Sequence, residues 1–145
     1  METTTGLATD NIALLRRYYD EVLNEGNLDA VDGIFTPDYV SHHNDPAHLP
    51  PGPAGVKAFV AMTRQGFPDL HITVDDVFGD GDQVASTWTM QGTHTGEWFG
   101  APASGKRARW WGVVITRFDG GRIAEDWYNF DQVSLLQQLG IIPAQ

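Results

Sequence analysis

Residues 107–130 read RARWWGVVITRFDGGRIAEDWYNF, and this stretch decides the fold. Residues 107–118 are predicted to form a long strand, and they are followed by Asp-Gly-Gly at positions 119–121, which is typical of a tight hairpin turn. Residues 122–130 then return as a second strand. The stretch therefore predicts a long antiparallel hairpin in the second half of the chain.

Two further strands precede this hairpin. Residues 70–74 alternate between apolar and polar side chains, and residues 84–94 are rich in residues that favour strands. Gly79-Asp80-Gly81-Asp82 predicts the turn between them. On the second of these strands, one face is expected to carry Val84, Ser86, Trp88, Met90 and His94.

Helical periodicity replaces this alternation in the first half. Leu15, Tyr19 and Leu23 predict a first helix that begins at a cap on Thr9 or Asp10, after a flexible segment of residues 1–8. The predicted end is near Gly26. A short second helix is expected from the cap Asn27 to Pro37, an extended piece at residues 39–43, and a third helix over residues 56–66. The last helix follows Asp131 and closes at Gly140.

Helices and strands are thus segregated along the chain, which favours the α+β class. We expect a single domain of 145 residues in which N-terminal helices pack on a strongly curved antiparallel or mixed sheet. Helices that cross one face of a bent sheet form a cone around an apolar pocket. Such a pocket is suited to a small-molecule ligand.

Composition excludes several classes of function. The chain has no cysteine, so disulfides, thiolate metal sites and a cysteine nucleophile are impossible. With 9 Lys and Arg against 19 Asp and Glu, its net charge of −10 disfavours nucleic acids and anionic membranes as partners. The sequence has no long apolar run, and its first residues do not resemble a signal peptide. These features predict a soluble, cytoplasmic protein.

Common cofactor and hydrolase motifs are absent from the sequence. It contains no Gly-x-Gly-x-x-Gly, Walker loop, Gly-x-Ser-x-Gly or His-Glu-x-x-His pattern, so we expect no cofactor. His42 and His43 have Asp45 and His48 nearby. Adjacent side chains in an extended segment point to opposite sides, however, and no metal site is predicted.

The densest mixture of acidic and aromatic residues is EDWYNFD at positions 125–131. Alternation puts Asp126 and Tyr128 on one face of the strand and Glu125 on the other. An inward carboxylate is desolvated, which raises its pKa and makes it a usable acid or base. Alternatively, the acids are solvated and the aromatic rings pack a dimer face. A one-residue change in hairpin register would turn Glu125 inward instead.

Two histidines are candidates for supporting roles. His94 shares its strand face with Trp88 and could serve as a general base or hydrogen-bond donor, or as a satisfied core histidine. His42 could cross into the cavity or make a structural hydrogen bond. Asp131 is a second candidate acid, although its position also suits a helix N-cap.

Five tryptophans are many for this length and suit a flat polycyclic ligand. Core and interface packing explains most tryptophans, so only two or three are expected to contact a ligand. The side chains expected to bind the ligand are Trp88, Trp110, Tyr128 and Tyr19. The apolar residues between 109 and 115 on the other sheet face predict a homodimer through that surface.

Several stretches together resemble one known family. They are LRRYY at 15–19, FTPDYVSH at 35–42, GTHTGEW at 92–98, GGRIAEDW at 120–127 and LLQQLG at 135–140. Over residues 10–140 the chain resembles the SnoaL-like polyketide cyclases of the NTF2-like superfamily. The resemblance implies an α+β cone, usually a homodimer packed through the sheets.

The resemblance also implies a reaction, namely cofactor-free aldol ring closure of an anthracycline-type polyketide ester. In such cyclases an acidic residue in the cavity does the acid–base work, and here Asp126 is the first candidate and Asp131 the second. His94 or His42 would then donate a hydrogen bond to the oxyanion. Related members have been assigned hydroxylation, so a hydroxylase and a non-catalytic binding module remain the alternative hypotheses.

Overall fold

The computed structural model describes residues 4–43 and 49–143. Their elements, in chain order, are α1 (Thr4–Arg17), α2 (Val31–Ile34), β1 (Phe35–His43), α3 (Pro53–Gly66), β2 (His71–Asp80), β3 (Gln83–Thr93), β4 (Arg107–Asp119), β5 (Arg122–Phe130) and α4 (Gln132–Gln138). A π-helical segment, Tyr18–Asn24, continues α1, and a short 3₁₀ turn, Leu28–Ala30, precedes α2. None of the described helices is long and apolar enough to cross a membrane.

All five strands join one sheet in the order β1-β5-β4-β3-β2. The pairs β2–β3, β3–β4 and β4–β5 are antiparallel, whereas β1 runs parallel to β5. The predicted α+β architecture of helices on a mixed sheet is therefore confirmed. The hairpin between β4 and β5 turns at Gly120 and Gly121, whose positive φ angles of 59° and 80° fit a two-residue primed turn.

One face of the sheet forms the core. In β3 the predicted inward residues Val84, Ser86, Trp88 and Met90 are all buried. Burial alternates in the same way along β4. Gly112 of β4 lies beneath Trp88, and a side chain at this position would overlap with the indole ring. The glycine thus lets the ring lie flat across the sheet.

The register of β5 contains a β-bulge. On β4, Phe118 pairs with Ile123 of β5, and Thr116, two residues earlier, pairs with Asp126. Ile123 and Asp126 are three residues apart on β5. The extra residue is Ala124. Because side chains alternate strictly along a strand, the bulge reverses the alternation and turns Asp126 to the same face as Ile123.

The first helix begins earlier than expected. It starts at Thr4, so Thr9 and Asp10 lie inside α1 and do not cap it. The reason is tertiary packing. Ala8 is 8% exposed and lies against Gly79 of β2, so contact with the sheet stabilises the additional N-terminal turns of the helix. The predicted end near Gly26 is confirmed, and Gly26 has a φ of 75°.

The strand β1 also begins earlier than the extended piece predicted at residues 39–43. The second helix ends at Ile34, and Phe35 already pairs with Ile123 of β5. Pro37 therefore lies within a strand and does not terminate a helix. Proline is tolerated here because β1 is at the edge of the sheet, where a residue without an N–H need not remove a hydrogen bond to a neighbouring strand.

Candidate active site

An apolar cavity lies between the concave face of the sheet and the helices. The π-helical segment contributes Tyr19 to its wall, α3 contributes Phe59, and the sheet contributes Trp88 and Trp110. Its volume, taken as the space open to the centres of water molecules, is about 80 Å³. We call it the inner cavity. A space enclosed by aromatic rings with few polar groups is the usual form of a small-molecule site.

Asp126 brings a carboxylate into this apolar wall. Its Oδ2 accepts a hydrogen bond of 2.6 Å from the hydroxyl of Tyr39, and its Oδ1 accepts one of 2.6 Å from the hydroxyl of Ser41. Both donors lie on β1, which the parallel pairing places beside β5. The carboxylate is thus oriented by one donor on each oxygen, and lone pairs remain on both oxygens.

The pKa of Asp126 reflects two opposing effects. Burial raises it, whereas the hydrogen bonds from Ser41 and Tyr39 and the nearby His43 and His42 lower it. Burial dominates, and the pKa lies above its ordinary value. Burial and the Asp126 charge also raise the pKa of Tyr39, so its hydroxyl stays protonated and acts as a donor.

A second cavity adjoins the first. We call it the outer cavity; its volume, measured in the same way, is about 240 Å³, and Ser41, His43 and Pro51 form part of its wall. The two cavities share Tyr18, Tyr39, Phe59 and Tyr128. Because Tyr39 lines both cavities and its hydroxyl contacts Asp126, the carboxylate lies next to the boundary between them.

A family model described as SnoaL-like polyketide cyclase matches residues 13–139. The chain belongs to this family. Solved structures of its members share the fold. The proposed SnoaL-like polyketide cyclase from Jannaschia sp. CCS1 is 24% identical, with 99% of this chain and 100% of that chain covered and a TM-score of 0.85.

Two Streptomyces proteins are similar in both sequence and structure. IdmH from Streptomyces antibioticus, a proposed polyketide cyclase, is 32% identical, with 90% of this chain and 98% of that chain covered and a TM-score of 0.76. AclR from Streptomyces galilaeus, a proposed hydroxylase, is 27% identical, with 95% of this chain and 85% of that chain covered and a TM-score of 0.82. A comparison with curated proteins gave no significant match.

Five of the eight residues singled out from the sequence line the inner cavity of this SnoaL-like domain. They are Asp126, Trp88, Trp110, Tyr128 and Tyr19. The placement of Trp88, Asp126 and Tyr128 agrees with the alternation expected along β3 and β5, and the roles of all five residues in binding or catalysis remain predictions.

His94 does not line either cavity. It follows the end of β3, is fully buried, and stacks on Phe67 at 5.3 Å between ring centroids. The backbone N–H of Ser104 donates to its Nδ1, so the neutral ring carries its proton on Nε2, which has no hydrogen-bond partner among the described residues. Of the two readings of His94, the structure favours the core histidine.

His42 lies on the outer face of the sheet, away from the cavities. Its Nε2 pairs with Glu125 Oε2 at 2.8 Å, and its ring stacks on Trp127. Glu125 also accepts a hydrogen bond of 3.1 Å from Arg117. The expectation that His42 reaches the cavity is therefore corrected: alternation along β1 turns Tyr39, Ser41 and His43 inward and His42 outward.

Asp131 caps α4. Its carboxylate accepts a hydrogen bond of 3.1 Å from the backbone N–H of Ser134, as an N-cap does. It lies outside both cavity walls. The structure therefore supports the capping role and removes Asp131 from the candidate acids.

Sequence reasoning missed the residues that hold Asp126. Tyr39 and Ser41 alternate on β1 with the exposed Val40, and this pattern could have marked them as one face. Nothing in the sequence shows, however, that β1 pairs with β5. Among residues 4–43 and 49–143, no three His, Asp or Glu side chains could together hold a metal ion, and Asp45 and His48 lie outside the described residues.

Proposed function

We propose that this protein is a cofactor-independent cyclase that closes a ring of an aromatic, anthracycline-type polyketide by an intramolecular aldol reaction. The observation that carries the proposal is Asp126: a carboxylate of raised pKa, oriented by Tyr39 and Ser41, in the wall of an apolar cavity. This is the environment in which a carboxyl group acts as general base near neutral pH.

The reaction has three steps. Asp126 removes a proton from a carbon between two carbonyl groups, and the electron pair moves into an enolate. The enolate carbon attacks a ketone of the same molecule, which forms the new carbon–carbon bond and leaves an alkoxide. The alkoxide takes the proton back from the Asp126 carboxyl, which regenerates the base. A carbon flanked by two carbonyls is acidic enough for a single carboxylate.

The walls of the two cavities fit such a substrate. Trp88, Trp110, Tyr128 and Tyr19 offer flat aromatic surfaces on which a ring system can stack. The inner cavity has room for only a few water molecules, on the order of five. A polycyclic substrate therefore extends past Tyr39 into the outer cavity, which places the bond to be formed beside Asp126.

The test compares Asp126→Asn with the wild type on an aromatic polyketide methyl ester that carries a 1,3-dicarbonyl side chain. Turnover should fall by at least about a hundredfold, because the amide cannot accept the proton. Asp131→Asn is the matched control: asparagine caps a helix as well as aspartate does, so turnover should be unchanged. If the protein is a binding module, it will bind the ester and convert none of it. An Asp126→Asn variant with wild-type turnover would show that Asp126 is not the general base.

The similarity to AclR, a proposed hydroxylase, favours oxygenation of a similar polyketide as a second candidate function. Oxygenation would need dioxygen and an external reductant. The mass of the product separates the two reactions. Aldol closure leaves the mass unchanged or removes one water, whereas hydroxylation adds one oxygen atom.

We also propose that the protein acts as a homodimer through the outer face of the sheet. Trp111, Val113, Ile115 and Trp127 are between 39% and 55% exposed there. Large apolar side chains grouped on one sheet face are typical of a protein–protein interface.

A further inference from the structure

The proposed aldol reaction develops negative charge on substrate oxygen atoms, first on the enolate and then on the alkoxide. A protein donor aimed at such an oxygen contributes strongly to catalysis in a site that excludes water. The two histidines expected to provide it, His94 and His42, do not line the cavities. Tyrosine hydroxyl groups in the cavity walls are candidates for this donor.

Tyr18 is at the right place for this role. It lines both cavities, as does Tyr39, the residue that contacts Asp126. Its ring is held edge-on against Phe35 at 5.1 Å and lies 5.5 Å from the ring of Tyr19, measured between centroids. These two ring contacts restrict the movement of a side chain that lines both cavities.

The hydroxyl of Tyr18 also differs from those of two neighbouring tyrosines. Tyr19 shares a hydrogen bond of 3.0 Å with Ser86, and Tyr39 donates to Asp126. The Tyr18 hydroxyl makes no hydrogen bond with any residue in the described part of the chain. Burial, and after it the Asp126 charge, raises the pKa of Tyr18 well above its ordinary value, so the proton stays on the hydroxyl.

We propose that Tyr18 donates a hydrogen bond to the oxyanion that forms on the substrate when Asp126 takes its proton. Tyr18 stays protonated throughout and transfers nothing; it stabilises charge while Asp126 moves the proton. This assignment rests on the proposed function, because a binding protein would have no developing oxyanion to stabilise. It predicts that the site prefers a planar ligand with an anionic oxygen over the same ligand without one.

The test uses 2-naphthol, whose anion imitates a planar enolate and whose ultraviolet absorption distinguishes the ionised from the neutral form. It is carried out on the full chain in an Asp126→Asn background, since the neutral amide imitates the protonated carboxyl present when the enolate forms. Adding Tyr18→Phe should weaken binding of the naphtholate by at least about tenfold, because a hydrogen bond to a charged oxygen is lost. Binding of naphthalene, which has no oxygen, should not change.

Thr89→Val in the same background is the control hydroxyl deletion. Thr89 lines neither cavity and its hydroxyl donates to Asp75, so the affinity for naphtholate should stay within about twofold. Equal naphtholate affinity with and without the Tyr18 hydroxyl would overturn the assignment. So would equal losses of naphtholate and naphthalene affinity, which would indicate damaged packing.

Failure of this proposal can be told apart from failure of the proposed function. If Asp126→Asn abolishes ring closure but Tyr18→Phe leaves naphtholate binding intact, the general base stands and Tyr18 is not the donor. If Tyr18→Phe weakens naphtholate binding while Asp126→Asn still closes the ring, the anion site stands and Asp126 is not the base.

Discussion

The hydroxyl of Tyr39 donates a 2.6 Å hydrogen bond to Asp126 Oδ2 across 87 positions of sequence. The bond joins the edge strand β1 to β5 at the boundary between the two cavities. It stabilises the charged form of a carboxylate that burial destabilises. The balance between these two effects sets the pH range in which Asp126 can accept a proton.

Tyr39→Phe should shift the pH dependence of ring closure. The hydrogen bond lowers the pKa of Asp126, so its removal raises that pKa further and moves the acid limb of the kcat/KM profile to higher pH. The pH dependence of kcat/KM, measured between about pH 4 and 8, would show the direction of the shift. Ser41→Ala should move the limb in the same direction, and an unmoved limb in both variants would contradict the prediction.

Asp126→Asn should change how stability depends on pH. The pKa of Asp126 in the folded state lies above its ordinary value of 3.8, so its contribution to stability is fully present below pH 3.8. This contribution is lost as the pH rises through the folded-state pKa. Asparagine cannot ionise. The free energy of unfolding of the wild type, relative to Asp126→Asn, should therefore decrease from acidic to neutral pH, as measured by urea denaturation. A difference that stays constant with pH would show that the pKa of Asp126 is not raised.

Gly112→Ala should destabilise the fold. A methyl group there would overlap with the ring of Trp88 and approach the carbonyl oxygen of Asn129. Both groups are held within the sheet and its core, so neither can move far. Overpacking of this kind costs about 1–3 kcal/mol in the free energy of unfolding, which urea denaturation would measure. Gly33→Ala is the control, because the added methyl would have no atom within 4 Å apart from its chain neighbours and its own helix backbone, and the free energy of unfolding should be unchanged or slightly higher.

Trp111→Glu should yield a monomer. Trp111 is 55% exposed on the outer face of the sheet, and a carboxylate in an apolar interface would be buried without a partner. Light scattering at micromolar concentration should give a dimer mass for the wild type and a monomer mass for the variant. Val133→Glu, at a residue 59% exposed on α4, should remain dimeric. A monomeric wild type would end the dimer proposal.

Local patterns determined most of the secondary structure. Alternation along residues 84–90 was enough to assign the inward face of β3, because one face of this strand is buried and the period of two leaves little choice. The same pattern placed Trp88 in the cavity. The capping role of Asp131 also followed from its place before an apolar helix, since a cap is a local interaction.

The surroundings of Asp126 were decided by tertiary structure. Its inward direction depends on the bulge at Ala124. Its two hydrogen-bond donors lie on β1, which is distant in sequence and pairs with β5 in parallel. The same pairing turns His42 outward to Glu125, and packing on Phe67 keeps His94 out of the cavity. Sequence periodicity specifies which residues share a face of one element. Which elements then lie side by side, and in what register, is fixed by burial and hydrogen bonding summed over the whole molecule.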